Sequence, residues 1–259
     1  MGDTNGRAEV MVAEARKAFF VMFAFVALIW LVQLANAADG YDLSRDHGVV
    51  PGDADSLPAL LSAPLLHWSW NHIEANSGPL FVFGFLAAYR GVTRFLGLTL
   101  LVALTSGMAV WLFERGGVDT VGASGLVFGY FGYVVVRGLF DRHLIDTLIG
   151  VVMAASFAYL LTVAVPGTPG VSWLGHLGGL AGGVLGAWLF RDRGKRRSAS
   201  GGGGGGGGEP AATAPRGGTA APGGAGSPGS TPSGSAAPSG STASPRADLH
   251  KELRDLGLL

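Results

Sequence analysis

The chain has 259 residues, of which 48% are hydrophobic and only 14% are charged. Because soluble domains carry about 25% charged residues, this composition predicts a membrane protein with the lipid bilayer around it. The formal net charge is zero, and we expect no nucleic-acid partner. The chain has no cysteine, which excludes disulfides, thiolate metal sites and cysteine nucleophiles.

Six apolar stretches are long enough, or nearly long enough, to cross a bilayer as a helix, which takes about 20 residues. They cover residues 18–37, 71–89, 95–113, 122–140, 144–165 and 172–190. The first stretch is too long for the apolar region of a signal peptide, so we interpret it as a retained span. The sequence therefore predicts an all-α membrane domain of six transmembrane helices over residues 18–190.

The basic residues near these stretches are distributed unequally between the two sides of a six-span topology. Only Arg45 and Arg115 fall on one side, where several aspartates also collect. The other side has Arg7, Arg16, Lys17, Arg90, Arg94, Arg137, Arg142, Arg191, Arg193, Lys195, Arg196 and Arg197. Because cytoplasmic loops carry the excess of Lys and Arg, we expect a multi-pass protein of the cell membrane. Both termini, including the N-terminal segment 1–17, are predicted to be cytoplasmic.

Two regions outside the predicted spans have distinct compositions. The first outer loop, residues 38–66, contains an apolar run over 57–66 that is too short to span and is typical of an interfacial or re-entrant element. Residues 191–247 are first basic and then rich in Gly, Pro, Ser and Ala, which predicts a disordered linker. Residues 248–259 place three leucines at helical spacing among charges and predict a short amphipathic helix.

Five polar residues lie near the outer ends of three different spans. Ser124 begins the fourth span and His176 lies early in the sixth. His67, His72 and Asn76 form the pattern H-x4-H-x3-N at the entrance to the second span, where residues four apart share a helix face. Polar side chains in membrane spans are functional hypotheses by default, and serine with histidine is the simplest pair that makes a nucleophile.

Glycine spacing predicts that the fourth and sixth spans are in close contact. Gly125 and Gly129 are four residues apart on the fourth span. The sixth span carries two ridges of glycines at the same spacing, namely Gly175, Gly179 and Gly183, and Gly178, Gly182 and Gly186. Because such ridges let helix backbones approach closely, they favour a contact between Ser124 and His176.

The residues predict an intramembrane serine hydrolase with a catalytic dyad. His176 would take the proton of the Ser124 hydroxyl and later deliver it to the leaving amine. The sixth span offers no evident acid to orient the imidazole, so we predict a dyad and not a triad. His72, Asn76 and the backbone N–H of Ser124 are the expected oxyanion donors, and His67 is expected to fix its loop by hydrogen bonding.

These motifs resemble those of the rhomboid family of intramembrane serine proteases. Gly122-Ala123-Ser124-Gly125 resembles the family's G-x-S-G, and the stretch 67–76 resembles its H-x4-H-x3-N. Residues 175–179, Gly-His-Leu-Gly-Gly, are similar to its A/G-H-x-x-G around the catalytic histidine. The resemblance covers about residues 18–190, with the three motifs in the family order.

The resemblance implies a six-helix fold with a partly embedded first outer loop and an active site that opens to the extracytoplasmic side. It assigns Ser124 as nucleophile, His176 as base, and His72 and Asn76 as oxyanion donors, with no metal or cofactor. The implied substrates are single-span transmembrane proteins. The chain departs from the family in lacking the Trp-Arg pair of the first loop and in having Phe128 where many members have tyrosine. A phenyl ring can stack on the imidazole but cannot donate a hydrogen bond.

Two alternatives remain at the level of sequence. A metal-dependent membrane hydrolase could use His67, His72 and His176, although the chain lacks H-E-x-x-H and has few candidate carboxylate ligands. A non-catalytic relative could instead bind membrane helices, although inactive members of the fold generally lose the serine or the histidine, and both are present here.

Overall fold

The computed structural model describes residues 2–115, 119–167 and 170–192. The helices are α1 (Gly2–Ala38), α2 (Asp42–Asp46), α3 (Ala59–Ser62), α4 (Trp70–Ala88), α5 (Val92–Phe113), α6 (Ser124–Asp141), α7 (Leu144–Ser156) and α8 (Trp173–Leu189). The only extended pairing among the described residues is an isolated antiparallel bridge between Val49 and Thr120. The predicted all-α fold is therefore confirmed. The predicted linker beyond residue 192 and the predicted helix over 248–259 lie outside the described residues.

Each predicted apolar stretch overlaps one of the longer helices, namely α1, α4, α5, α6, α7 and α8 in order. By length and apolar composition, two of the described helices qualify as candidate membrane spans. These are the 34 residues of α1 over Asn5–Ala38 and the 22 residues of α5. Helix α7 is apolar but shorter. The number of membrane crossings therefore stays a prediction.

Two helix boundaries differ from those expected. Helix α1 begins at Gly2. The N-terminal segment 1–17, which was expected to precede the first span, is therefore helical from residue 2 and continuous with it. Helix α7 ends at Ser156 and is followed by a 3₁₀ turn over Ala158–Val163, whereas one helix was expected through residue 165. Phe157 leaves the helical region with φ −116° and ψ 22°, and its ring packs against Phe83 with the centroids 4.8 Å apart.

The first outer loop folds back against the helices. Its apolar run forms α3 and a 3₁₀ turn over Ala63–Leu65. Leu60 on α3 packs on Gly107 of α5, where a Cβ would lie 3.0 Å from the Leu60 Cγ. The loop thus contributes buried apolar side chains and is not a solvated connection.

Helix α6 is the central helix of the bundle, because twelve of its 18 residues are buried. Its contact with α8 is made by backbone, as the glycine spacing predicts. A Cβ on Gly179 would lie 2.2 Å from the carbonyl oxygen of Gly125, and one on Gly183 would lie 1.9 Å from that of Gly129. At these two points no side chain fits between the helices, so the backbones limit how closely the helices approach there.

The second glycine ridge of α8 faces a different partner, α5. A Cβ on Gly178 would lie 2.5 Å from the Ala109 Cβ, and one on Gly182 would lie 2.0 Å from the Thr105 hydroxyl oxygen. Helix α8 is therefore held on two sides, against α6 by one ridge and against α5 by the other.

Ion pairs join the helices at the end of the bundle opposite Ser124. The guanidinium of Arg137 contacts Asp141 at 3.2 Å and Asp146 at 3.2 Å, and Asp146 also pairs with Arg90. The Arg137 and Asp141 side chains are only 8% and 7% exposed. Because a buried charge that loses its partner is strongly destabilising, these pairs keep the ends of α4, α6 and α7 together.

We predict that Gly183→Ala destabilises the protein and that Gly6→Ala does not. The new methyl group at 183 overlaps the Gly129 carbonyl, and overpacking of this kind costs about 1–3 kcal/mol, or several degrees in the thermal midpoint. A Cβ at Gly6, which is also helical, meets nothing within 4 Å. Thermal unfolding of the detergent-solubilised variants measures both effects. Equal midpoints for the two variants would contradict the backbone contact between α6 and α8.

Candidate active site

A cavity of about 560 Å³ lies between the first outer loop and α4, α5, α6 and α8. Six of the seven site residues expected from the sequence line it, namely Gly122, Ser124 and Phe128, His72 and Asn76, and His176. The seventh, His67, is fully buried behind the cavity wall. Residues from three helices far apart in the chain thus meet in one place.

Ser124 is the first residue of α6 and is half-buried. Two residues before it, Gly122 has a φ of +128°, a backbone conformation that is strained for any residue with a side chain. A Cβ at Gly122 would also lie 2.8 Å from the Nε2 atom of His72. Gly122 is therefore required both for the turn into α6 and for the close approach of the His72 ring.

The N-terminus of α6 has no side-chain cap, because Ala123 at the capping position makes no such hydrogen bond. The first amide groups of a helix have no partner within the helix and carry its positive dipole end. Ser124 therefore lies where the backbone itself favours a developing negative charge.

His176 lies in the first turn of α8 and is only 4% exposed. Its imidazole stacks on the phenyl ring of Phe128, with centroids 4.2 Å apart and planes 16° apart. The preceding residue, Gly175, is close to α6, since a Cβ on Gly125 would lie 3.5 Å from its carbonyl oxygen. The residue after Ser124 and the residue before His176 are thus backbone neighbours.

Asn76 and His72 face the same cavity from α4. Asn76 is buried, and its Nδ2 amide has no hydrogen-bond partner among the described residues. A buried amide donor without a partner costs free energy, so such a donor in a cavity wall points to a bound acceptor. His72 is one helical turn earlier, with its ring against Gly122.

His67 connects the first outer loop to the start of α6. Its Nε2 atom accepts a hydrogen bond from the backbone N–H of Ala123 at 3.4 Å. Its own carbonyl accepts from the Asn36 side chain at 2.9 Å, and Asn36 also donates to the Ser44 hydroxyl at 2.8 Å. The residue before Ser124 is therefore tied to α1 through a buried polar network.

The imidazole of His67 is held neutral in the folded protein. Burial, and secondly the neighbouring His72, lower the pKa of His67 from 6.5 to about 3, against the opposing effect of the Leu65 carbonyl. A neutral ring can accept the Ala123 N–H, whereas an imidazolium has no acceptor.

Several residues of this region were not expected from the sequence. Ser106, Glu114 and Ser172 line the cavity, and Asn36 anchors the loop behind it. Asn36 could have been identified from the sequence, because a polar residue near the end of an apolar span needs a hydrogen-bond partner. The other three make contacts between distant segments, for which the sequence carries no local pattern.

The described part of the chain contains no group of three His, Cys, Asp or Glu side chains arranged to hold a metal ion. His67 and His72 have ring centroids 4.9 Å apart, but the Nε2 atom of His67 already accepts from Ala123. The three histidines of the metal hypothesis therefore do not form a ligand set in this part of the chain.

Residues 55–193 match the Rhomboid domain, which covers more than half of the chain and confirms the resemblance. The chain belongs to the rhomboid family and is a membrane protein.

Similar proteins occur in several bacteria. An uncharacterized protein of Mycobacterium tuberculosis is 39% identical over 176 residues, which are 65% of this chain and 73% of that protein. An uncharacterized protein of Mycobacterium leprae is 35% identical over 195 residues, 72% of this chain and 75% of its own. The Bacillus subtilis protein named "Putative rhomboid protease YdcA" is 28% identical over 182 residues, 69% of this chain and 84% of its own.

We predict that His67 makes the folded protein sensitive to acid. Below pH 6.5 the unfolded imidazole binds a proton that the folded one does not bind until about pH 3, so stability falls as the pH decreases through this window. Above pH 6.5 neither state is protonated and the effect is constant. Thermal midpoints measured between pH 7.5 and 4 are expected to fall less steeply in His67→Gln than in the wild type. His47→Gln, at an exposed position, is the control and should keep the wild-type slope.

Proposed function

We propose that this rhomboid protein is an intramembrane serine endopeptidase that cleaves transmembrane segments of other membrane proteins. The observation that carries the proposal is the shared cavity of Ser124 and His176, which lie at the starts of two helices in backbone contact. Membership of the rhomboid family supports the same reaction class.

In the proposed reaction, Ser124 attacks the carbonyl carbon of the scissile peptide bond while His176 takes the hydroxyl proton. The carbonyl π electrons move to oxygen and form a tetrahedral oxyanion. When it collapses, the C–N bond breaks, the amine takes the proton from His176, and an acyl-enzyme ester remains on Ser124. Water then attacks the ester with His176 again as base, which releases the carboxylic acid and restores Ser124. Phe128 would hold the imidazole in plane by stacking.

Three kinds of donor would stabilise the oxyanion. The Asn76 Nδ2 amide is buried without a partner among the described residues, which suits a donor preorganised for charge that develops during the reaction. The His72 ring reaches the same wall of the cavity. The uncapped amides at the start of α6 add the positive end of the helix dipole.

The proposed substrates are single-span membrane proteins that enter the cavity as an unwound segment. The cavity wall is mainly apolar, with Leu60, Val110 and Leu160 among its residues, and this suits an apolar chain. In the proposed topology both termini are cytoplasmic and the cavity opens to the extracytoplasmic side, as the asymmetry of the basic residues favours.

We expect Ser124→Ala and His176→Ala to lose cleavage of a fluorogenic single-span substrate in liposomes, by about 10⁴-fold or more. Matched controls are Ser77→Ala and His47→Ala, which replace residues outside the cavity wall and should keep activity. A chelator is expected to have no effect.

Cleavage that persists in Ser124→Ala would exclude the proposed mechanism. Inhibition by the chelator would favour the metal-dependent hydrolase. A wild type that binds single-span helices without cleaving them would favour the non-catalytic relative.

Asn76→Ala is expected to lower kcat by about 100–1,000-fold, the usual cost of one oxyanion donor. KM should change little, because the amide would bind the oxyanion and not the ground-state substrate. Asn71→Ala is the matched control, since Asn71 lies on the exposed face of the same helix. Steady-state kinetics on the liposome substrate measure both constants. A rise in KM with unchanged kcat would instead place Asn76 in substrate binding.

A further inference from the structure

Two side chains in or just after α5 contact the start of α8, close to His176. One is Glu114, the residue that follows α5, and the other is Ser106, about two turns earlier. Both line the cavity, and neither belongs to the motifs that indicate the serine mechanism.

Glu114 acts on the beginning of α8. Its carboxylate accepts a hydrogen bond from the hydroxyl of Ser172, the capping residue of that helix. The same Ser172 hydroxyl oxygen accepts from the N–H of Gly175 at 3.1 Å. Because a hydroxyl that accepts from an amide still has its proton to donate, Glu114 fixes the direction of the cap.

Ser106 contacts the same turn of α8 at Gly175. Its hydroxyl donates to the carbonyl oxygen of Gly175 at 2.8 Å. It also lies against α6, since a Cβ on Gly125 would be 2.1 Å from the Ser106 Oγ atom. Ser106 therefore touches the residue before His176 and the residue after Ser124 at once.

The first turn of α8 needs such support. Helix ends fray where their amides have no internal partner, and glycine, which loses the most freedom on ordering, occupies positions 175, 178 and 179 around His176. The amide of His176 donates to the carbonyl of Ser172 at 3.3 Å, a long hydrogen bond. A displacement of this turn would move the imidazole relative to Ser124.

We propose that Glu114 and Ser106 are positioning residues of the Ser124–His176 dyad, and that Glu114 acts through the Ser172 cap. This inference rests on the proposed function. It assigns to α5 the orienting task that an acidic residue performs in a triad, with the difference that α5 orients the backbone of the histidine and not its ring.

The test compares kcat and KM of Glu114→Ala, Glu114→Gln, Ser172→Ala and Ser106→Ala on the liposome substrate. The three alanine variants are expected to lower kcat by about 10–100-fold, the range for a displaced catalytic group, with KM unchanged. Glu114→Gln keeps an oxygen that accepts from Ser172 and should retain most of the wild-type kcat. The matched control is Ser77→Ala, which removes another hydroxyl between two helices, bonded to Trp30 at 3.0 Å.

A double-mutant cycle tests whether Glu114 acts through Ser172. The double variant Glu114→Ala/Ser172→Ala should be no slower than the slower single variant, because both changes remove one unit. The proposal would be overturned if the two losses in kcat multiply in the double variant. It would also be overturned if Glu114→Ala has the same kcat as Ser77→Ala.

The rate at which a fluorophosphonate labels Ser124 separates this inference from the proposed function. Labelling needs an activated serine but no peptide substrate. It should slow in Glu114→Ala in parallel with kcat and stay unchanged in Ser77→Ala. Failure of wild-type cleavage with normal labelling would count against the proposed endopeptidase alone, whereas equal labelling of Glu114→Ala and wild type would count against the positioning role.

Discussion

The separation of α6 and α8 is set by backbone atoms, and the candidate site depends on it. Gly179 and Gly183 of α8 leave no room for a methyl group against the carbonyls of Gly125 and Gly129. Because Ser124 and His176 lie at or near the starts of these two helices, the backbone contact and the stack of Phe128 on His176 constrain how the two starts are placed. Helix α5 completes the arrangement by packing on the second ridge of α8 and by holding its first turn through Ser106 and Glu114.

Buried polar groups near the candidate site differ in whether their hydrogen bonds are satisfied. Asn36, Ser44 and His67 bond to one another and to the amide of Ala123, as structural polar groups in an apolar core do. The Asn76 amide has no such partner among the described residues. The bonded groups hold the loop before Ser124. The Gln33 amide also lacks a partner among the described residues, but Asn76, unlike Gln33, belongs to the cavity wall.

Much of this arrangement could be predicted from the sequence, because it rests on local patterns. Apolar length predicted each long helix, and glycine spacing predicted the contact of the fourth and sixth. The end of α7 could not be predicted, since Phe157 leaves the helix to pack on Phe83, a residue 74 positions away. Glu114 and Ser172 were missed for a similar reason. Their contact joins residues 58 positions apart, and neither residue stands out until the fold brings them together.

The uneven burial of the helices has a consequence for how lipids affect this protein. In α6 twelve of 18 residues are buried, whereas in α7 only Gly150 is. In the predicted topology, a change in bilayer thickness would therefore act first on α7 and on the long α1, because transmembrane helices adjust to it by tilting. Helices α6 and α8 are in backbone contact at Gly179 and Gly183, and most of α6 is buried. Lipid composition should thus change access to the cavity more than it changes the contact between α6 and α8.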